Sequence, residues 1–176
     1  MLANFSANPL NKNLAQARSK ARALEWMFFD VDGVMTDGGL FYDEHGEAFK
    51  RFHVLDGHGI KALREAGIQV ALLSGRTHRA NEQRAKELGI ELVIQGESDK
   101  GQAFDRLVAS MGLNAQRCGH MGDDLPDLEV FQRVSFRAAV PHAVPQVLTA
   151  ADWIASRPGG YGAVRECCDF IVESRS

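Results

Sequence analysis

Asp30-Val31-Asp32-Gly33-Val34-Met35-Thr36 closes the apolar run Trp26-Met27-Phe28-Phe29. Residues i and i+2 of a strand point to the same side. The spacing therefore predicts two carboxylates together where a strand ends. Like charges forced together need a cation between them, or one of them must hold a proton. Either state is useful chemistry: oxygen ligands for a hard metal, or a nucleophile beside a general acid. Gly33 then lets the backbone turn sharply away. An Asp-rich turn after a buried strand is the plain alternative, so the rest of the chain has to decide.

Other reactive groups follow other apolar runs. Ser74-Gly75-Arg76 follows Val70 to Leu73, and Lys100 opens a helical segment after Leu92-Val93-Ile94. Gly122-Asp123-Asp124 follows Cys118 to Met121, with Asp127 close behind. Singly, each has a simple reading. Ser74 can cap a helix, Lys100 can be a solvated charge, and Asp124 and Asp127 can be acids favoured at a helix N-terminus. Together and in this order they suit phosphoryl transfer. A metal bridging carboxylates and a phosphate oxygen neutralises developing charge. One aspartate can attack phosphorus, and a second can protonate the leaving oxygen and then activate water. A serine hydroxyl and a lysine ammonium can bind the remaining phosphate oxygens.

The elements that must position these groups alternate. Trp26 to Phe29 reads as the first strand. Phe41-Tyr42 and Ala48 to Val54 flank the turn Asp43-Glu44-His45-Gly46 and predict a hairpin. Helical spacing runs from Gly59 to Ala66, from His78 to Leu88 and from Asp99 to Met111, each followed by a glycine. Pro126 fits the first turn of a helix running to Arg133. Val134 to Phe136 and Trp153-Ile154 read as short strands, and Ala163 to Val172 as a last helix. This pattern predicts an α/β fold: a Rossmann-like parallel sheet with helices on both faces, plus a β-hairpin after the first strand. In such sheets the ligand lies outside the carboxyl ends of the strands. Residues 1–24 read as an N-terminal extension with a short helix over Leu14 to Arg22, and residues 25–176 as a single domain.

Composition narrows the function classes. The 176 residues are 45% hydrophobic and 24% charged, which is globular and long enough for a sizeable core. A net charge of -3 gives no bulk attraction to nucleic acid or an anionic membrane, so local positive charge must hold any anionic substrate. No apolar stretch approaches the roughly 20 residues needed to span a bilayer. Met1 to Arg22 lacks the apolar core of a secretory signal. Cys118, Cys167 and Cys168 form neither a disulfide framework nor a zinc pattern, which points to a reducing cytoplasm.

Asp30-Val31-Asp32-Gly33-Val34, Ser74-Gly75-Arg76, Lys100 and Gly122-Asp123-Asp124-Leu125-Pro126-Asp127 resemble the four motifs of the haloacid-dehalogenase-like phosphatases. The resemblance implies Asp30 as nucleophile, Asp32 as general acid and base, and Ser74 and Lys100 as phosphate ligands. It implies Mg²⁺ held by Asp30, the backbone carbonyl of Asp32, and Asp123. Asp124 and Asp127 would orient Lys100 or a metal-bound water.

Asp32 to Ser74 has room for a hairpin and a helix, and Ser74 to Lys100 for less, so neither gap holds a cap domain. The catalytic edge would be open in a monomer and poorly desolvated. Asp37-Gly38-Gly39-Leu40, Phe52 to Ile60, Gln95 to Lys100 and Gly159 to Glu166 resemble the capless subgroup that acts on the phosphate of 3-deoxy-D-manno-octulosonate, an eight-carbon sugar acid of the lipopolysaccharide core. That resemblance implies a homotetramer, with central hairpins and a glycine-rich segment completing a neighbour's site. It implies substrate contacts from Asp32, His53, Val54, Leu55, Asp56, Gly57, Lys61, Arg76, Arg84 and Lys100. Arg76 and Arg84 would share one helix face. Many members of the subgroup carry a basic residue where this chain has Leu55, and a small or basic one where it has Tyr161, which bears on the sugar end of the site.

Two alternatives stand beside this reading. One is a nine-carbon ulosonate phosphate as substrate. The other is a phospho-accepting receiver domain, although receivers place an acidic pair first and the phosphorylated aspartate on a later strand.

Overall fold

The computed structural model describes residue 11 and residues 13–176. Residues 1–10 and 12, part of the expected N-terminal extension, lie outside the described residues.

Strand β1 (Trp26–Phe29) lies inside a six-stranded sheet, paired in parallel with β4 (Gln69–Leu73) on one side and β6 (Cys118–Gly122) on the other. Beyond β4 lies β5 (Leu92–Ile94). Beyond β6 lie β7 (Phe136–Ala139) and β8 (Trp153–Ile154). The order is β5-β4-β1-β6-β7-β8, and every pairing is parallel. The chain runs outward from β1 to β5, then returns to β6 and runs outward the other way. The reversal falls between β1 and β6, and ligands bind outside the carboxyl ends of the strands at such a point. The residues that follow those two strands are Asp30 and Asp123.

Both faces of β1 are covered, which is why its sequence is a continuous apolar run. Phe28 points into a cluster with Ala71, Leu73, Phe104 and Val130, and meets the Phe104 ring edge-on at 5.2 Å between centroids. Phe29 points the other way, into the larger cluster with Ile60, Leu63, Trp153 and Phe170. Helix α4 (Lys100–Met111) feeds the first cluster. Helices α1 (Leu14–Arg22), α2 (Val54–Glu65), α3 (Arg79–Leu88) and α7 (Ala163–Arg175) feed the second. Residues 14–24 add Ala17, Ala21 and Leu24 to this core.

Strands β2 (Phe41–Asp43) and β3 (Gly46–Phe49) form a separate antiparallel hairpin. Its second arm is shorter than the sequence pattern predicts, because α2 starts at Val54 and not at Gly59. His53 is the N-cap: its side chain accepts the Leu55 N–H at 3.2 Å. Glycine is a poor helix former, but a Cβ on Gly59 would press on the Arg165 backbone of α7. Close packing of α2 on α7 thus requires a residue that local propensity disfavours.

Two further elements differ from expectation. β7 begins at Phe136, since the Val134 N–H is still bonded to the Val130 carbonyl at the end of α5 (Leu125–Phe131). A short helix, α6 (Pro145–Ala150), precedes β8. No helix among the described residues is long and apolar enough to cross a membrane.

Candidate active site

Asp30 extends the ladder one residue beyond β1, its N–H bonded to the Met121 carbonyl at 3.0 Å. The chain then makes one wide turn, Val31–Met35, closed by the Thr36 N–H on the Val31 carbonyl at 3.0 Å. Such wide turns are rare and gather at functional sites. Gly33 sits inside it at φ 94°, and a Cβ there would overlap the Asp123 carboxylate. Only glycine fits both the backbone and the space. A Cβ on Gly159 would likewise overlap the Gly33 carbonyl, and the Gly160 N–H bonds the Val34 carbonyl at 3.0 Å. The glycine-rich segment before α7 thus braces the wide turn of its own chain.

This turn, and not strand alternation, sets the directions of Asp30 and Asp32. The expected side-by-side pair is not what the structure shows. Asp30 Oδ1 accepts a hydrogen bond from Lys100 Nζ at 2.7 Å. Asp32 turns to Lys50, whose Nζ lies 2.7 Å from Oδ1 and 2.8 Å from Oδ2.

Lys100 opens α4 behind Asp99, whose side chain caps the helix through the Gln102 N–H at 2.9 Å. The Lys100 side chain is 5% exposed, and the ammonium also donates to Asp127 Oδ1 at 2.7 Å. Asp127 is fully engaged. Oδ1 also accepts from His120 Nε2 at 2.8 Å, and Oδ2 accepts the N–H groups of Asp123 and Asp124 at 3.0 and 3.1 Å. Asp127 therefore orients Lys100. Asp124 does something else: it is exposed and caps α5, accepting the Leu125 N–H at 2.8 Å in a reciprocal capping box with Asp127.

The charges leave room for a cation. Asp30, Asp123 and Asp127 each offer an oxygen, all within 4.8 Å of one another. Asp123 Oδ1 is buried with no hydrogen-bond partner. Burial, with Asp30 and Asp127 nearby, pushes the Asp123 carboxyl up to about 8. Burial and Asp127 push Asp30 up to about 6, against the opposing pull of Lys100. Asp127 behaves oppositely: burial raises it, but His120 and Lys100 outweigh burial and hold it well below the usual range. Burial also opposes the charge on Lys100, yet Asp30 and Asp127 hold its proton more tightly than usual. With Asp127 saturated, the unsatisfied carboxylates are Asp30 and Asp123. A hard divalent ion with oxygen ligands fits that gap.

The other expected residues are spread around this centre. Ser74 follows β4, and its hydroxyl donates to the Arg76 carbonyl at 3.0 Å. Arg76 is not on a helix face with Arg84, because His78 caps α3 and the helix starts at Arg79. Instead Arg76 donates to Glu47 at 2.8 Å and Tyr42 at 3.3 Å, both on the hairpin. Arg84 lies on α3 and donates to the His53 carbonyl at 3.1 Å, in space that Gly57 leaves open. Val54, Leu55 and Lys61 are exposed on α2. Asp56 is buried and accepts the Arg165 N–H at 2.9 Å, at the start of α7.

Two residues join the site that motif reading did not place there. Lys50 carried no local signal beyond its position at the hairpin's end. His120 is fully buried and bonded to Asp127.

A parallel sheet with an aspartate nucleophile candidate after its first strand and a buried lysine on that aspartate is the arrangement of a phosphoryl-transferring hydrolase. The family profile of haloacid dehalogenase-like hydrolases matches residues 54–134. The 3-deoxy-D-manno-octulosonate 8-phosphate phosphatase KdsC of Haemophilus influenzae is 42% identical over 158 residues, covering 90% of this chain and 88% of that protein. Its counterpart in Escherichia coli K12 is 37% identical, covering 90% and 84%. The crystal structure of the Moraxella catarrhalis phosphatase, in complex with magnesium, phosphate and KDO, superposes with a TM-score of 0.89 at 37% identity, covering 93% of this chain and 94% of that one.

The chain belongs to the haloacid dehalogenase-like hydrolases, in the family of 3-deoxy-D-manno-octulosonate 8-phosphate phosphatases. It is a phosphoric monoester hydrolase, and the receiver alternative falls. As expected, no cap domain is inserted: only the hairpin and α2 lie between Asp32 and β4, and only α3 and β5 between Ser74 and Lys100.

Proposed function

We propose that this protein hydrolyses 3-deoxy-D-manno-octulosonate 8-phosphate to 3-deoxy-D-manno-octulosonate and phosphate, in the cytoplasmic pathway to lipopolysaccharide. The observation that carries the reading is the Asp30–Lys100 pair beside the unsatisfied Asp123, in a chain similar almost throughout to relatives bearing that name.

Asp30 attacks phosphorus with one carboxylate oxygen. The bond from phosphorus to the sugar oxygen breaks, and Asp32 gives that oxygen a proton. Water then attacks the aspartyl-phosphate while Asp32 takes up the water proton; phosphate leaves and Asp30 is free again. Lys100 has three N–H donors and uses two on Asp30 and Asp127. The third remains for a phosphate oxygen, and the Ser74 hydroxyl would serve another by turning its one proton away from the Arg76 carbonyl. Asp30, Asp123 and the Asp32 carbonyl would hold Mg²⁺, which when bound supplies positive charge to both the carboxylates and the phosphate. His53 to Gly57, Lys61, Arg76 and Arg84 would meet the sugar acid.

The open catalytic edge favours completion by a neighbouring subunit in a homotetramer. Leu40, Phe41, Tyr42 and Phe49 on and beside the hairpin are exposed apolar surface that supports such contacts.

Phosphate release from the eight-carbon and the nine-carbon ulosonate phosphates, with and without EDTA, tests the reading. Release is expected from the eight-carbon substrate, lost with EDTA and restored by Mg²⁺. Equal, slow release from both substrates would overturn the substrate assignment, and release indifferent to EDTA would overturn the metal.

A further inference from the structure

We infer that Lys50 is a positioning residue for this reaction: it anchors Asp32 beside the leaving oxygen, keeping one Asp32 oxygen while the other carries the proton. The inference rests on the acid–base role proposed for Asp32.

A lysine normally lays its stem on the protein and keeps its ammonium in water. Lys50 does the reverse. Its side chain is 1% exposed, although Phe49 just before it is 54% exposed. A lysine this buried needs a partner, and the partner is Asp32. One ammonium reaches both carboxylate oxygens, at 2.7 and 2.8 Å, which ties the end of the Asp32 side chain to one place. Among the described residues, no other hydrogen bond reaches the Asp32 side chain. The contrast with Asp127, which is held by four donors, is plain.

The segment that delivers Lys50 is itself anchored. Glu47 and Tyr42 on the hairpin receive Arg76 from the loop after β4. Arg51, next to Lys50, pairs with Asp37 beyond the wide turn at 3.0 Å. Lys50 is therefore presented by a segment tied to the loops after both β1 and β4. Without it, the Asp32 side chain would lose that anchor, and misplacement by an ångström is costly in catalysis.

A purely structural ion pair would secure the fold with no preference among substrates. Leaving-group dependence separates the two roles. An alkoxide needs a proton to depart, whereas p-nitrophenolate departs without one. The experiment compares single-turnover release of the leaving group from p-nitrophenyl phosphate and from the eight-carbon sugar phosphate. It uses wild type, Lys50→Met, Lys50→Gln, Asp32→Asn and the Asp32→Asn/Lys50→Met double variant, each checked for folding by thermal melting. Lys50→Gln keeps a donor and a similar length, so it carries the test should Lys50→Met not fold.

The Lys50 variants are expected to slow release from the sugar phosphate by about tenfold or more, with p-nitrophenol release within about threefold of wild type. In the Asp32→Asn background, Lys50→Met is expected to add less than about a twofold loss, since coupled residues are not additive. Equal losses on both substrates, full additivity with Asp32→Asn, or no loss at all would each overturn the role of Lys50. An Asp32→Asn enzyme as fast as wild type on the sugar phosphate would instead remove the acid–base role of Asp32 on which the inference rests.

Discussion

Lys100 Nζ donates to Asp30 Oδ1 at 2.7 Å, across the sheet edge where β1 and β6 end. The bond joins the start of α4 to the residue after β1, between positions far apart in the chain. It leaves the other Asp30 oxygen for chemistry and holds the first one still.

Replacing Asp30 with asparagine removes the proposed nucleophile and keeps the shape. Phosphate release is expected to fall on the order of 10⁴-fold or more. The wild type, quenched in acid during turnover, should carry a phosphate on Asp30 by mass spectrometry. A variant as active as wild type would place the nucleophile elsewhere.

Lys100→Met leaves two buried carboxylates, Asp30 and Asp127, without their shared cation. Breaking a buried pair by removing one partner costs about 3–5 kcal/mol. Urea unfolding is expected to show a loss of that order, together with loss of turnover. Unchanged stability would mean that the pair is well solvated.

The raised carboxyls make metal-free stability depend on pH. Folded Asp123 keeps its proton up to about 8 and Asp30 up to about 6, whereas unfolded aspartates release theirs near ~3.9. The folded state thus binds more protons through this window, and stability falls as pH rises from about 4 to about 8, on the order of 1 kcal/mol per pH unit for each proton held. In EDTA the protein is expected to melt lower at pH ~8 than at pH ~5.5. Mg²⁺ needs the ionised carboxylates, so it should raise the melting temperature more at the higher pH. Equal Mg²⁺ shifts at both pH values would contradict this.

Asp124 and Asp127 are neighbours with different work. Asp124→Ala removes a helix cap and should cost about 1 kcal/mol of stability, with turnover within a few-fold of wild type. Asp127→Ala leaves Lys100 and His120 without their carboxylate, and turnover should fall far more. Similar kinetic losses in both variants would mean that Asp124 also serves the chemistry.

The order of apolar runs and reactive residues was enough to expect a parallel α/β sheet with Asp30, Ser74, Lys100 and Asp123 at one edge. This is because each group directly follows a strand or opens the helix after one. The helix at Val54 was harder to read, since Gly57 and Gly59 look like loop residues until α7 lies against them. Arg76 and Arg84 share a helical spacing, but a histidine cap ends that logic before Arg79.

The sequence by itself determined which chemistry this chain carries and which strands bear it. Local patterning specifies strands and turns, and the residue types specify reactivity. Only the tertiary structure decided how the aspartates divide their roles. Asp30 and Asp32 part because a wide turn beside Gly33 redirects them. Asp127 is saturated while Asp123 is not. Lys50 reaches Asp32 from the hairpin. Each of these depends on long-range approach of side chains, and strand periodicity holds no information about which distant lysine will be buried against which carboxylate.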